Sequence, residues 1–123
     1  MSERRKVLNF EDMEVFQRAY KISLIIHRET LRFPKLEQHS LADQLRRATK
    51  SICANLAEGY ARQKRSKTEF RRFVQIALGS SDEIRVWLRY AKDLGYIEDP
   101  TWKSWREEYK TISKMLQALL NNI

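Results

Sequence analysis

Apolar and polar positions alternate along most of this chain with a helical period, and the pattern divides into four segments. The first predicts a helix from about Glu11 to Arg32, capped by Asn9 or the residues just after it, with Glu11, Asp12 and Glu14 in the first turn where the helix dipole favours acids. At 100° per residue, Met13, Phe16, Tyr20, Leu24 and Leu31 form one stripe, and Val15, Ala19, Ile22 and Ile26 form another well over 90° away. A monomeric bundle needs one apolar stripe per helix. Two stripes predict that a second surface is buried, between subunits.

Phe33-Pro34 ends that helix, because proline disfavours a helical residue before it and brings no amide proton. The second helix is expected from Gln38 or Ser40 to Arg62, with Leu41, Leu45, Ala48, Ile52, Asn55, Leu56 and Gly59 inward and Arg46 and Lys50 on a polar side. Arg47, Ser51, Ala54 and Glu58 make a further row, where small residues admit a close neighbour. Ser66-Lys67-Thr68-Glu69 has the capping-box pattern and predicts the start of the third helix. Its core stripe is Phe70, Phe73, Val74, Ala77, Ser81, Ile84, Leu88 and Ala91. Ile76, Gly79, Val86, Trp87, Tyr90 and Leu94 lie on an opposite face, with Glu83 and Arg72 among them. Gly79 costs about 1 kcal/mol against alanine in mid-helix, so something is expected to pack closely there. Gly95 fits the position just past a helix end, and Asp99-Pro100 the N-cap and first residue of a fourth helix. Trp102, Trp105, Tyr109, Ile112, Leu116 and Leu119 then make one narrow seam. Four helices with short connections imply an all-α fold, an antiparallel up-down-up-down four-helix bundle. It forms a single domain over 1–123, with a short flexible N-terminus over about 1–9.

Composition agrees with this reading: 123 residues suit one domain, and three Gly and two Pro leave few turns. A lone Cys53 forms no internal disulfide, and no apolar run or signal-like start is present. A cytoplasmic protein that does not enter a membrane is the expectation. The charge is less even. Nine basic residues (Arg46, Arg47, Lys50, Arg62, Lys64, Arg65, Lys67, Arg71 and Arg72) stand between positions 46 and 72 against two acids, Glu58 and Glu69. That excess nearly equals the net +8 of the whole chain, so the charge is concentrated around the elbow Gln63-Lys64-Arg65.

Signals for catalysis are poor, and no cofactor or metal is expected. His27 and His39 lie in different segments with no Cys or carboxylate at ligand spacing. Cys53 between Ile52 and Ala54 reads as a buried or half-buried thiol rather than a nucleophile. Three isolated glycines make no phosphate loop. Glu58 and Glu83 are the one conceivable carboxylate pair, but each reads better as the partner of an arginine such as Arg47 or Arg72. The elbow has three readings: a solvated face, a nucleic-acid surface, or a surface for an anionic protein or membrane. Phosphates reward clustered Lys and Arg without sequence readout. Phe70 and Phe73 belong to the core stripe, leaving Tyr60 as the one exposed ring expected near the patch, so binding to RNA or DNA would be directed at the backbone rather than by base stacking. No compact helix-turn-helix is present.

The segments FEDMEVFQRAYKISLIIHRET, FPKLEQHSLADQLRRATKSICANLAEGYAR and SKTEFRRFVQIALGSSDEIRVWLRYAKDLGYI together resemble a bacterial four-helix bundle family. Its genes were first noticed in intervening sequences inserted into 23S ribosomal RNA genes. The resemblance covers about residues 10–97. It is strongest at Gln44-Leu45-Arg46-Arg47-Ala48, at Asn55-Leu56-Ala57-Glu58-Gly59, and at Phe73-x-x-Ile76-Ala77-x-Gly79-Ser80 with Glu83. It implies an up-down bundle that assembles as a ring, typically a homopentamer, with no known enzymatic activity. More distantly, it implies kinship with small bundles that serve reverse transcriptases as accessory factors. Between Gly59 and Glu69 the chain runs about two residues longer than the family pattern. The matching residues Arg46, Asn55, Glu58, Gly59, Gly79, Ser80 and Glu83 are expected to hold the bundle and its subunits together. Two functions follow as expectations: a non-enzymatic homo-oligomer that binds RNA or DNA through the elbow, or a structural adaptor ring for a protein partner.

Overall fold

A computed structural model describes residues 7–123, and the expected flexible N-terminus falls largely on residues 1–6, outside that range. Among the described residues there are four α-helices and no strand: α1 (Glu14–Thr30), α2 (Leu41–Arg62), α3 (Lys67–Asp93) and α4 (Asp99–Asn121). Successive helices pack on one another, α4 closes back onto α1, and the diagonal pairs α1/α3 and α2/α4 make no close backbone approach. Contacts between neighbours run in opposite directions. Lys50 reaches His27, Ser51 reaches Ser80, and Arg71 near the start of α3 reaches Leu120 near the end of α4. The fold is therefore the antiparallel up-down-up-down four-helix bundle. The α2–α3 elbow, the start of α1 and the end of α4 share one end of it.

Helix starts follow local chemistry, with two corrections. Asn9 does cap, but what it caps is a short 3-10 turn, Phe10–Asp12. Its side chain accepts from Glu11 N at 2.8 Å, while Asp12 accepts from the Leu8 and Asn9 amides. Met13 is extended, so α1 begins at Glu14 rather than Glu11, and it ends at Thr30. At α4 the N-cap is Glu98, not Asp99; Asp99 and Pro100 lie inside the first turn. The other signals hold: Ser66 Oγ accepts from Glu69 N at 3.2 Å at the start of α3, and Gly95 carries φ 81° just beyond its end.

The core takes Val15, Ala19, Ile22 and Ile26 from α1, Leu45, Ile52 and Leu56 from α2, Val74, Ala77, Ile84 and Leu88 from α3, and Tyr109, Ile112 and Leu116 from α4. The α4 seam ends on Leu120 instead of Leu119, because a 3.6-residue period drifts off a strict 3-4 alternation by the last turn. Phe73 is only half-buried, lying under the Arg62 guanidinium at 5.3 Å.

The other stripes stay largely outside this core, although Met13 is buried and Phe16 and Trp87 are half-buried against it. On α1, Tyr20 is 49% and Leu31 61% exposed; on α3, Val86 is 51% and Tyr90 54% exposed, with Ile76 and Leu94 beside them. Gly79 belongs to that outer face, and a Cβ built there would meet nothing within 4 Å. The close packing expected at Gly79 is thus absent within the chain. It occurs instead at Gly59, where a Cβ would stand 2.9 Å from Phe73 Cβ and 3.0 Å from the Phe70 ring. Among the described residues no helix is long and apolar enough to cross a membrane.

Candidate nucleic-acid interface

The nine cations that crowd together in sequence separate in space. At 1.5 Å per residue, Arg46 and Lys50 stand about 24 and 18 Å along α2 from Arg62. They also face α1 rather than solvent alone. Arg46, expected on an outward polar side, is tied in: its guanidinium donates to Thr30 Oγ1 (3.1 Å), Gln38 Oε1 (3.2 Å) and the Gln38 carbonyl (2.8 Å). It pins the α1–α2 connection to α2. Lys50 Nζ lies 2.9 Å from His27 Nδ1. Partial burial, then the nearby Lys50, Arg46 and Arg28 charges, hold the His27 imidazole below its ordinary pKa. Arg47 is exposed and pairs with Asp43 at 2.9 Å along its own helix.

Six cations remain at the elbow, and two of them are engaged. Arg62 reaches Glu58 (3.4 Å) and Glu69 (3.7 Å), which joins the end of α2 to the start of α3. Arg71 donates to the Leu120 carbonyl in the last turn of α4, and so ties α4 to α3. Lys64, Arg65, Lys67 and Arg72 are exposed and have no ion-pair partner among the described residues. These four form the free positive charge of the elbow, displayed at one end of the bundle. Tyr60 is half-buried against the core, so it offers no open ring for stacking.

The motif residues have mostly local structural tasks. Asn55 Nδ2 donates to the Ser51 carbonyl (2.8 Å) and Oγ (3.0 Å), and Ser51 Oγ meets Ser80 Oγ at 3.0 Å, a polar bridge from α2 to α3. Glu58 pairs with Arg62, not Arg47, and Glu83 accepts from Trp87 Nε1 at 3.1 Å rather than pairing with Arg72. Each expected arginine stands about 16 Å away along the same helix, so the i,i+4 neighbour takes its place. Glu58 lies near the elbow while Glu83 lies at mid-bundle, so they form no acid–base pair. Cys53 is half-buried, and desolvation raises its thiol pKa to about 11. Among the described residues no group of His, Cys, Asp and Glu is placed to hold a metal ion.

At the opposite end, sequence reasoning missed a cluster around Trp102. Lys92 Nζ and the Arg106 guanidinium lie 4.4 and 4.3 Å from its ring centroid, with Arg89 at 5.7 Å. Asp93 and Asp99 pair with Arg89 and Lys92, and Glu107 pairs with Arg106, so this cluster is charge-balanced packing. It depends on α3 meeting α4, which no local pattern announces.

Fold and surface together define a four-helix bundle that displays four exposed cations without an ion-pair partner among the described residues at one connection, and whose first and third helices keep exposed apolar side chains on their outer faces. The model of the family described as 23S rRNA-intervening sequence protein matches residues 11–118, and the chain belongs to that family. A solved structure from Bacteroides thetaiotaomicron, described as a protein with unknown function from the S23 ribosomal protein family, aligns with a TM-score of 0.75 at 25% identity. The alignment covers 87% of this chain and 95% of that one. No curated protein matches.

Proposed function

We propose that the chain is a non-enzymatic, homo-oligomeric bundle that binds RNA or DNA through the α2–α3 elbow, without reading sequence. The observation that carries this reading is the quartet Lys64, Arg65, Lys67 and Arg72, exposed and without an acidic partner among the described residues at one end of the molecule. Free cations release counterions from a phosphate backbone, whereas cations already paired with carboxylates gain little. The apolar outer faces support the oligomer. They lie on α1 and α3, the diagonal helices, so a contact between the α1 face of one copy and the α3 face of the next joins two different surfaces. Such head-to-tail contacts close into rings when the rotation permits. The family resemblance favours a ring of five. A ring with its axis along the bundle sets every elbow on one rim, and linked weak sites bind with avidity.

The test is binding to labelled single- and double-stranded RNA and DNA over a salt series, with assembly mass recorded on the same samples. Each neutralised phosphate adds about 0.9 to the salt slope on duplex DNA. Replacing Lys64, Arg65, Lys67 and Arg72 by Gln is therefore expected to flatten the slope by about 3.6 per engaged protomer. An unchanged slope and affinity overturn the reading. The exposed apolar faces also favour a second reading, an adaptor ring for a protein partner, such as a reverse transcriptase that it assists. A stoichiometric protein partner that survives nuclease treatment and ignores the four substitutions supports that alternative.

A further inference from the structure

Beside the elbow, where α2 ends and α4 ends against the start of α3, lies a cavity of about 440 Å³. Its rim carries Gln63, Lys64, Lys67 and Asn122, and its floor carries Phe70, Leu119 and Ile123. That volume falls within the range of small-molecule sites, roughly 300–1,000 Å³. Four other well-formed cavities among the described residues each include a carboxylate: Glu107 and Glu108, Asp82 and Asp93, Glu37, or Asp82 alone. The elbow cavity has two lysines and no side-chain carboxylate. Neither lysine pairs with a side-chain or chain-terminal carboxylate among the described residues.

The chemistry is divided within the cavity. Lys64 and Lys67 present two ammonium groups, to which a phosphate responds. Among the described residues the Gln63 amide has no side-chain hydrogen bond, and Asn122 spends its Nδ2 on the Ala118 carbonyl while its Oδ1 has no donor. Those groups leave donors and acceptors for a heterocycle edge. The buried Phe70 and half-buried Leu119 and Ile123 offer an apolar surface to a flat ring. We propose that this cavity receives one nucleoside monophosphate, its phosphate between Lys64 and Lys67 and its base over the apolar floor. The nucleotide is either free or the phosphorylated end of a strand whose remaining backbone lies along the elbow cations. The strand form rests on the nucleic-acid reading above.

The probes are AMP, and one single-stranded oligonucleotide with and without a 5′-phosphate, added to the full chain. Expected are AMP-dependent shifts in the side-chain amide signals of Gln63 and Asn122, and a roughly tenfold preference for the phosphorylated strand, the scale of one good charge-assisted contact. Gln63→Glu places an anion at the rim without changing size and is expected to abolish that preference. Arg72→Gln, an equal change of charge outside the cavity, weakens both strands alike and keeps the preference. Equal binding of both strands together with unmoved amide signals overturns the inference, while salt-sensitive strand binding in the same experiment leaves the elbow reading standing. Amide shifts with AMP but no binding of any strand support a free-nucleotide pocket and remove the strand form. Shifts with inorganic phosphate equal to those with AMP overturn the role of the floor.

Discussion

Gly59 and Gly79 make a pair of opposite predictions. Both are helical glycines, and replacing either by alanine removes a propensity cost of about 1 kcal/mol. At Gly59 the new methyl would stand 2.9 Å from Phe73 Cβ, 3.0 Å from the Phe70 ring and 3.4 Å from the Phe70 carbonyl oxygen. Phe73 Cβ is fixed to the α3 backbone and cannot rotate aside, so α2 and α3 must separate at the elbow. Overpacking of this kind costs about 1–3 kcal/mol. Because the contact is backbone-anchored, its cost is placed in the upper part of that range, leaving Gly59→Ala less stable by about 1–2 kcal/mol. At Gly79 nothing lies within 4 Å, so Gly79→Ala keeps the whole propensity gain. For a chain of this length each kcal/mol moves the melting midpoint by about 3–5 °C. Thermal melts followed by circular dichroism, at a protein concentration where all variants share one assembly mass, are expected to fall by about 3–10 °C for Gly59→Ala and to rise by about 3–5 °C for Gly79→Ala. A Gly59→Ala protein as stable as the parent would refute the packing argument. A destabilised Gly79→Ala, with the assembly lost, would place a neighbouring copy on that face.

Arg46→Ala frees Thr30 Oγ1, the Gln38 side chain and the Gln38 carbonyl at once, and is expected to cost about 1–3 kcal/mol in urea unfolding. It should change the nucleic-acid salt slope by less than one contact. With its thiol raised to about 11, Cys53 carries about one thiolate in a thousand at pH 8, and iodoacetamide is expected to label it far more slowly in the folded protein than in urea. Equal rates would contradict its burial. Burial and the neighbouring cations lower the His27 pKa in the folded protein, so between that value and the unfolded 6.5 the unfolded chain holds more protons and stability rises with pH. The contribution is complete above 6.5 and is lost as pH falls through the folded pKa. Urea midpoints from pH 5 to 7.5 are expected to lose part of their pH dependence in His27→Gln.

What the sequence could disclose depended on how far each signal reached. Ser66 and Gly95 were legible because a cap acts within its own turn, and each does what its residue type implies. The start of α1 was not, because Asn9 and the acids after it suit a 3-10 turn as well as a helix, and the choice rests on the extended backbone at Met13. Charge was legible as an excess but not as a surface. A run from Arg46 to Arg72 reads as one patch, yet α2 alone spreads Arg46 and Arg62 over about 24 Å by rise and sends Arg46 and Lys50 toward α1. The cavity beside the elbow was out of reach altogether. Its rim joins Lys64 and Lys67 to Asn122, a meeting that only the closed bundle brings about.

The two stripes of α1 were the informative ambiguity. Periodicity gave Met13, Phe16, Tyr20, Leu24 and Leu31 the same standing as Val15, Ala19, Ile22 and Ile26, and the fold buries the second set. Had the first been ordinary surface scatter, its exposed members would not share one side of the helix, for single apolar residues scatter without direction. They do share a side, and so do Ile76, Val86, Tyr90 and Leu94 on α3, around a glycine that the chain's own packing does not require. A helix face with several exposed apolar residues, even one interrupted by Glu83 as on α3, is a liability to a protein that stays alone in water. Two such faces on diagonal helices, beside an end that keeps four cations unpaired among the described residues, suit a molecule whose lateral surfaces meet copies of itself and leave the charged end free. Substituting Tyr20 and Tyr90 with Glu separates the two properties. The assembly mass is expected to fall to that of one chain, while strand binding persists but loses its avidity. A charged double variant that keeps its full assembly mass would exclude those faces from the contact.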